Sequence, residues 1–261
     1  MNILDKNIIK GDNDIRKLEE TKRLKSVEDR QVSSEVFDNA TLKVLYKLAK
    51  LGYINQLSGV ISTGKEANVL KGIDDNGNIV AVKIYRVVTS DFKKIRTYID
   101  GDPRFKTHGN NKRQIIREWT YKEFKNLGRL ANVGVNVPEV FVARENVLVM
   151  EYLYSDENKD KAALPLQKSV LNNAELVFDK IIEFMNLSYN KAGLVHGDLS
   201  MYNILMSKKQ PYIIDLSQGT LTSHPISRSL LDRDINNIIN NAKRFNVNLD
   251  FESVKNRVLK T

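Results

Sequence analysis

Val195-His196-Gly197-Asp198-Leu199-Ser200-Met201-Tyr202-Asn203-Ile204-Leu205 is followed, after a short polar break, by Tyr212-Ile213-Ile214-Asp215-Leu216-Ser217-Gln218. Two acids and an amide sit here among apolar neighbours. A carboxylate flanked by Val, Leu and Ile is partly desolvated and needs a cation, a proton or a donor to offset that cost. Asn203 follows Asp198 by five residues, and Asp215 follows Asn203 by twelve. The turn Ser207-Lys208-Lys209-Gln210-Pro211 between them would fold a hairpin back on the loop. That would gather hard oxygen ligands suited to magnesium. The other reading of the same residues is a buried polar loop whose Asp side chains cap turns.

Upstream, Ile79-Val80-Ala81-Val82-Lys83-Ile84-Tyr85 reads as a strand with one Lys inside an apolar run. A buried ammonium requires an anion, either a phosphate or a carboxylate on a nearby helix. The helix expected from about Gln114 to Ala131 offers Glu118 and Glu123. At 100° per residue Glu123 lies about 30° from the centre of the apolar face and Glu118 roughly 170° from it. Lys83 and Glu123 are therefore most simply one ion pair, the alternative being a Glu123 that reaches solvent at the helix edge.

Gly59 to Lys65 satisfies G-x-x-x-x-G-K, but Glu66 stands where a P-loop needs a hydroxyl, and Ala67 to Ile73 continues as a strand instead of opening a helix. The stretch reads instead as two strands joined by a phosphate-covering loop at Ser62, Gly64 and Lys65, with a bare hairpin turn as the plain alternative. Strands at 140–143 and 147–153 lead to a polar connection, where Glu151 and Leu153 would offer backbone groups to an adenine ring and Met150 a soft wall. An amphipathic helix over 171–192 delivers the chain to His196 and Asp198, and two more helices are expected after Asp215.

The chain has 261 residues, no Cys and three His, which excludes disulfides and thiolate metal sites and disfavours a His-ligated zinc site. No leader-like start and no apolar run of membrane-spanning length is seen, so a soluble, cytoplasmic protein is expected. The formal charge is +9, and the segment from Lys83 to Arg129 alone holds thirteen bases and five acids. Such an excess can attract phosphates or RNA; a solvated helix face is the commoner meaning. The basic loop at 107–113 lies inside this stretch.

The ordered set of Gly-containing loop, Lys83, Glu123, Asp198, Asn203 and Asp215 resembles the protein-kinase plan. It departs from ordinary kinases: His196-Gly197-Asp198 lacks their Arg, Asp215-Leu216-Ser217 replaces Asp-Phe-Gly, and no activation segment ending in Ala-Pro-Glu follows. These departures, with Ser62-Thr63-Gly64-Lys65-Glu66-Ala67-Asn68-Val69 and Ala81-Val82-Lys83-Ile84-Tyr85-Arg86, resemble the RIO family of atypical protein kinases, and its first subfamily in particular. The short chain is similar to archaeal members.

The resemblance implies an α+β, two-lobed protein-kinase-like fold. It would comprise an N-terminal helical extension (1–55), an N-terminal lobe (56–150, with a flexible loop about 86–113), a hinge (151–161) and a reduced C-terminal lobe (162–261). It also implies ATP with magnesium, or manganese in its place. Asp198 would be catalytic, Asn203 and Asp215 metal ligands, and Asp215 a possible phosphoaspartate. Ser62, Gly64, Lys65, Lys83, Glu123, Met150, Glu151 and Leu153 would bind the nucleotide. Serine/threonine kinase and ATPase activity, autophosphorylation and a role in small ribosomal subunit maturation follow from the same likeness. The implied partners are the pre-small-subunit particle and its rRNA, without membrane or DNA. Two other classes stay open: a nucleotide-gated rRNA-binding assembly factor, and, less favoured because the C-terminal region is short, a small-molecule phosphotransferase.

Overall fold

A computed structural model describes residues 38–88, 90–105 and 111–260. The charged segment 5–30 and most of the 107–113 loop lie outside them. Residues divide into two compact units, one drawn from residues up to 91, 112–120 and 141–152, the other from 92–111, 121–140 and 153 onward.

In the first unit, helix α1 (Asn39–Lys50) starts at Asp38, whose carboxylate accepts the Thr41 N–H at 2.7 Å, and stops before Gly52, which takes φ +81. Strands β1 (Gln56–Thr63), β2 (Ala67–Ile73), β3 (Ile79–Tyr85), β4 (Val140–Arg144) and β5 (Val147–Glu151) form one sheet in the order β1-β2-β3-β5-β4. The central position of β3 explains its composition: a strand covered on both sides reads as a continuous apolar run, and Val80 through Tyr85 are all buried. Val44, Leu45 and Leu48 of α1 pack on Leu70, Val82 and Val149 of the sheet.

The second unit begins with helix α2 (Phe92–Ile99), inside the connection that the sequence reading treats as a loop. Ile95, Tyr98 and Ile99, spaced as one helical face, are buried and hold it down. Helix α3 (Lys112–Ala131) runs through both units' residue sets. The polar stretch expected to be a plain connection folds back as a short hairpin, β6 (Tyr154–Ser155) with β7 (Asn158–Ala162). Strands β8 (Leu164–Pro165), β10 (Ile204–Ser207) and β11 (Gln210–Ile213) form a three-stranded sheet, and β9 (Leu194–Val195) pairs with β12 (Thr220–Leu221). Helices α4 (Ala174–Asn190), α5 (Ser227–Lys243) and α6 (Phe251–Leu259) contribute Phe178, Ile182, Phe184, Ile238 and Val254 to this unit's core. No helix among the described residues is long and apolar enough to cross a membrane.

Candidate active site

The β10–β11 hairpin is closed by Lys208 and Lys209, both left-handed at φ 53 and 58, as a two-residue turn matching strand twist requires. Its register pairs Ile204 with Ile213, and beyond the ladder the Ile214 N–H still donates to the Asn203 carbonyl at 3.0 Å. Asn203 and Asp215 therefore leave the hairpin side by side. Asp215 takes φ 61, a conformation unusual for a residue with a side chain and concentrated at functional positions.

Asn203 Nδ2 donates to the Asp198 carbonyl at 2.8 Å, and more weakly to Asp198 Oδ2 at 3.4 Å. The amide nitrogen thus faces the loop, leaving the amide oxygen as the atom to offer a cation. Gln218 Nε2 donates to Asp198 Oδ2 at 3.2 Å, and Ser217 Oγ to Asp215 Oδ1 at 2.9 Å. Asp198 Oδ1 accepts no hydrogen bond from any described residue. Asp198, Asn203 and Asp215 are each partly exposed, so their oxygens remain reachable.

The backbone of this loop is held by α5. Asp234, 1% exposed, accepts the N–H of Gly197 at 2.8 Å and of Leu199 at 2.9 Å, while Arg233 donates to the Gly197 carbonyl. Burial pushes the Asp234 carboxyl above its ordinary range, opposed by His196, the two N–H donors and Arg233. His196 bonds the Ile214 carbonyl at 3.0 Å through Nε2, tying the two halves of the motif. Gly197 takes φ +80, a backbone conformation that strains any side chain, and a Cβ there would crowd the Gln218 carbonyl at 3.1 Å.

The remaining candidates are spread over both units. In the first, Lys83 lies in β3 opposite Val69 and Leu148 and is 6% exposed. Ser62 is the last but one residue of β1 and is paired with Val69; Gly64 and Lys65 lie in the turn, where the Gly64 N–H donates to the Ala67 carbonyl at 2.9 Å. All three are exposed, and the following residues form β2 and not a helix, as the rejected P-loop would have required. Met150 and Glu151 end β5 and are partly exposed. In the second unit, Glu123 is 1% exposed on α3, and the Leu153 carbonyl accepts the Ala163 N–H at 2.9 Å. Glu118, in the first, is only partly exposed, not fully turned to water.

A sequence profile of the RIO domain matches residues 68–254. The chain belongs to the RIO family. It is 40% identical over 232 residues to the RIO-type serine/threonine-protein kinase Rio1 of Haloferax volcanii, spanning 89% of this chain and 79% of that one. The Rio1 kinase of Methanocaldococcus jannaschii is 39% identical over 239 residues with the same coverages, 89% and 79%. Both relatives are of the first RIO type, in agreement with the motifs. The Rio2 kinase from Chaetomium thermophilum, solved as an ADP/Mg2+–phosphoaspartate complex, superposes with a TM-score of 0.62 at 22% identity, over 85% of this chain and 67% of that one. That likeness establishes the protein-kinase-like α+β fold of the RIO type.

Gln218, Arg233 and Asp234 are absent from the set read off the sequence. Asp234 had left a signal, an acid on the apolar side of α5 between Leu231 and Ile235.

Proposed function

We propose that this RIO protein is an atypical serine/threonine protein kinase and ATPase that transfers the γ-phosphoryl group of ATP, with itself among the acceptors. One observation carries the reading: Asp198 is fixed through its carbonyl and Oδ2 by Asn203 and Gln218, while Oδ1 has no partner among the described residues. That is the arrangement expected of a carboxylate that orients an acceptor hydroxyl or water and takes its proton. Asn203 and Asp215 fit a hard cation, since the Asn203 amide oxygen and the Asp215 carboxylate are oxygen donors on adjacent chain ends. Magnesium there, or manganese, would neutralise charge on the phosphoryl oxygens. Lys83, with Glu123 orienting it, is assigned to the phosphates, the Ser62, Gly64 and Lys65 turn to covering them, and Met150, Glu151 and Leu153 to the base.

Asp215 is further proposed as a phosphate acceptor: its carboxylate oxygen attacks the γ-phosphorus, ADP leaves, and water later releases phosphate from the acyl phosphate. The Rio2 neighbour's phosphoaspartate supports the idea by family likeness. A cytoplasmic role in small ribosomal subunit maturation, implied by the resemblance of the sequence motifs to the RIO family, is part of the same proposal.

A second reading, an assembly factor that binds pre-ribosomal RNA and hydrolyses ATP to release itself, is favoured by the exposed Lys93, Lys94, Lys112, Arg113, Arg117 and Lys125. Against it, other bases of the same stretch serve the fold: Lys83 and Lys122 are buried, Arg104 bridges Asp102 at 2.7 Å, and Arg129 donates to the Ala192 carbonyl. The test is incubation with γ-labelled ATP and magnesium, with and without small-subunit precursors. Label on Ser or Thr supports the kinase, and hydroxylamine-sensitive label supports the aspartyl phosphate. Free phosphate alone, with nucleotide-dependent release from the precursor, supports the second reading.

A further inference from the structure

The turn that follows Asp215 is gripped from α3. The Lys122 ammonium donates to the carbonyls of Ser217, at 3.2 Å, and Gly219. Asn126, one helical turn further on, donates through Nδ2 to the carbonyls of Leu216 and Gly219, at 2.9 Å each. Both residues are 0% exposed. The Asn126 amide is itself oriented: Arg104 Nη1 donates to Asn126 Oδ1 at 2.9 Å, which turns the NH2 group toward the carbonyls. Arg104 is in turn fixed by Asp102, through Nε at 2.9 Å and Nη2 at 2.7 Å. Gly219 permits the approach, because a Cβ there would meet Asn126 Nδ2 at 3.0 Å and the Leu216 carbonyl at 3.1 Å.

The gripped turn has two outputs. At its start stands Asp215, left-handed at φ 61, and within it stands Gln218, bonded to Asp198. A buried ammonium is a costly way to hold a turn that carries no function, since an apolar contact would stabilise it at least as well. Side chains that satisfy three carbonyls of one turn, those of Leu216, Ser217 and Gly219, instead fix backbone direction, and an error of about 1 Å in a reacting group can lower a rate on the order of 10²-fold.

We propose that Lys122 and Asn126 are positioning residues for phosphoryl transfer, which set the turn 216–219 and thereby the direction of the Asp215 carboxylate and of the Gln218 amide. Arg104 and Asp102 form the outer support that keeps the Asn126 amide correctly turned. The proposal rests on the reading of Asp215 as a magnesium ligand.

The experiment is calorimetric titration of the full chain with Mn2+ in saturating ADP, alongside thermal melting, for wild type, Asp215→Asn, Asn126→Ala, Lys122→Met, Gly219→Ala and Arg104→Ala. Wild type is expected to bind one metal and Asp215→Asn to lose it. Asn126→Ala, Lys122→Met and Gly219→Ala should weaken it on the order of tenfold, within the roughly 10–100-fold that losing the support of a metal ligand costs in affinity, with Arg104→Ala intermediate. Should Lys122→Met or Gly219→Ala fail to fold, Asn126→Ala and the part-exposed Arg104→Ala decide. Variants that melt lower yet bind Mn2+ within twofold of wild type overturn the proposal while the magnesium reading stands. A wild type that binds no metal, or an Asp215→Asn that binds normally, overturns the magnesium reading and the proposal with it.

Discussion

Asn203 donates its side-chain N–H to the backbone carbonyl of Asp198 at 2.8 Å, so the residue assigned to the metal also holds the residue assigned to the acceptor. Asn203→Asp keeps an oxygen for the cation but sets a carboxylate against that carbonyl. An unmatched polar contact of this kind costs about 1–3 kcal/mol. ATP turnover of Asn203→Asp is expected to fall at least about tenfold, the equivalent of 1.4 kcal/mol, with Asn203→Ala lower still. Steady-state phosphate release in magnesium checks it, and an Asn203→Asp enzyme equal to wild type would remove the double role.

Asp234 is the sole described acceptor for the Gly197 and Leu199 N–H groups. Asp234→Ala orphans both donors inside the core, at about 1–3 kcal/mol each, whereas Asp234→Asn retains one acceptor oxygen and should lose roughly half as much. Urea unfolding monitored by the single Trp, Trp119, which is 1% exposed, measures the difference. Equal losses in the two variants would show that the carboxylate's hydrogen bonds do not hold the loop.

Lys122 predicts a pH dependence. Burial pushes its ammonium from the ordinary 10.5 down to about 7; Asp102 opposes the shift and Arg104 adds to it. Between these values the unfolded chain holds a proton that the folded chain has released, so stability rises with pH across that window and is flat in this contribution below it. The slope is at most about 1.4 kcal/mol per pH unit. Subtracting the Lys122→Met unfolding free energy from that of wild type between pH 7 and pH 10 should reveal it; a flat difference would place the lysine's proton elsewhere.

How much of this was legible in the sequence follows from the range of each interaction. The strand around Lys83 and the Asn203-to-Asp215 hairpin declare themselves through local pattern, apolar runs and a polar turn, and both form where their residues indicate. The helix Phe92–Ile99 is short, with three bases among its eight residues and three buried anchors that a loop reading passes over. Lys122 and Asn126 were invisible as functional residues for a different reason, and Asp234 showed only as an acid on an apolar helix face, with nothing to say what it binds. Their partners are backbone carbonyls and N–H groups 35 to 97 positions away, and a main-chain group has no residue type to announce it. Charge counts along the basic run likewise do not distinguish a lysine facing water, such as Lys125, from one bonded to a buried turn, such as Lys122.

The decisive measurement is single-turnover transfer from γ-labelled ATP in magnesium by wild type and Asp198→Asn. The substitution preserves shape but removes the proton acceptor. Label transfer plus phosphate release should fall by about 10²–10⁴-fold, the usual contribution of a general base, while magnesium-ADP binding stays within a few-fold of wild type. Full turnover by Asp198→Asn would contradict the assignment of Asp198, and with it the reading of residues 195–218 as the catalytic half of a kinase site.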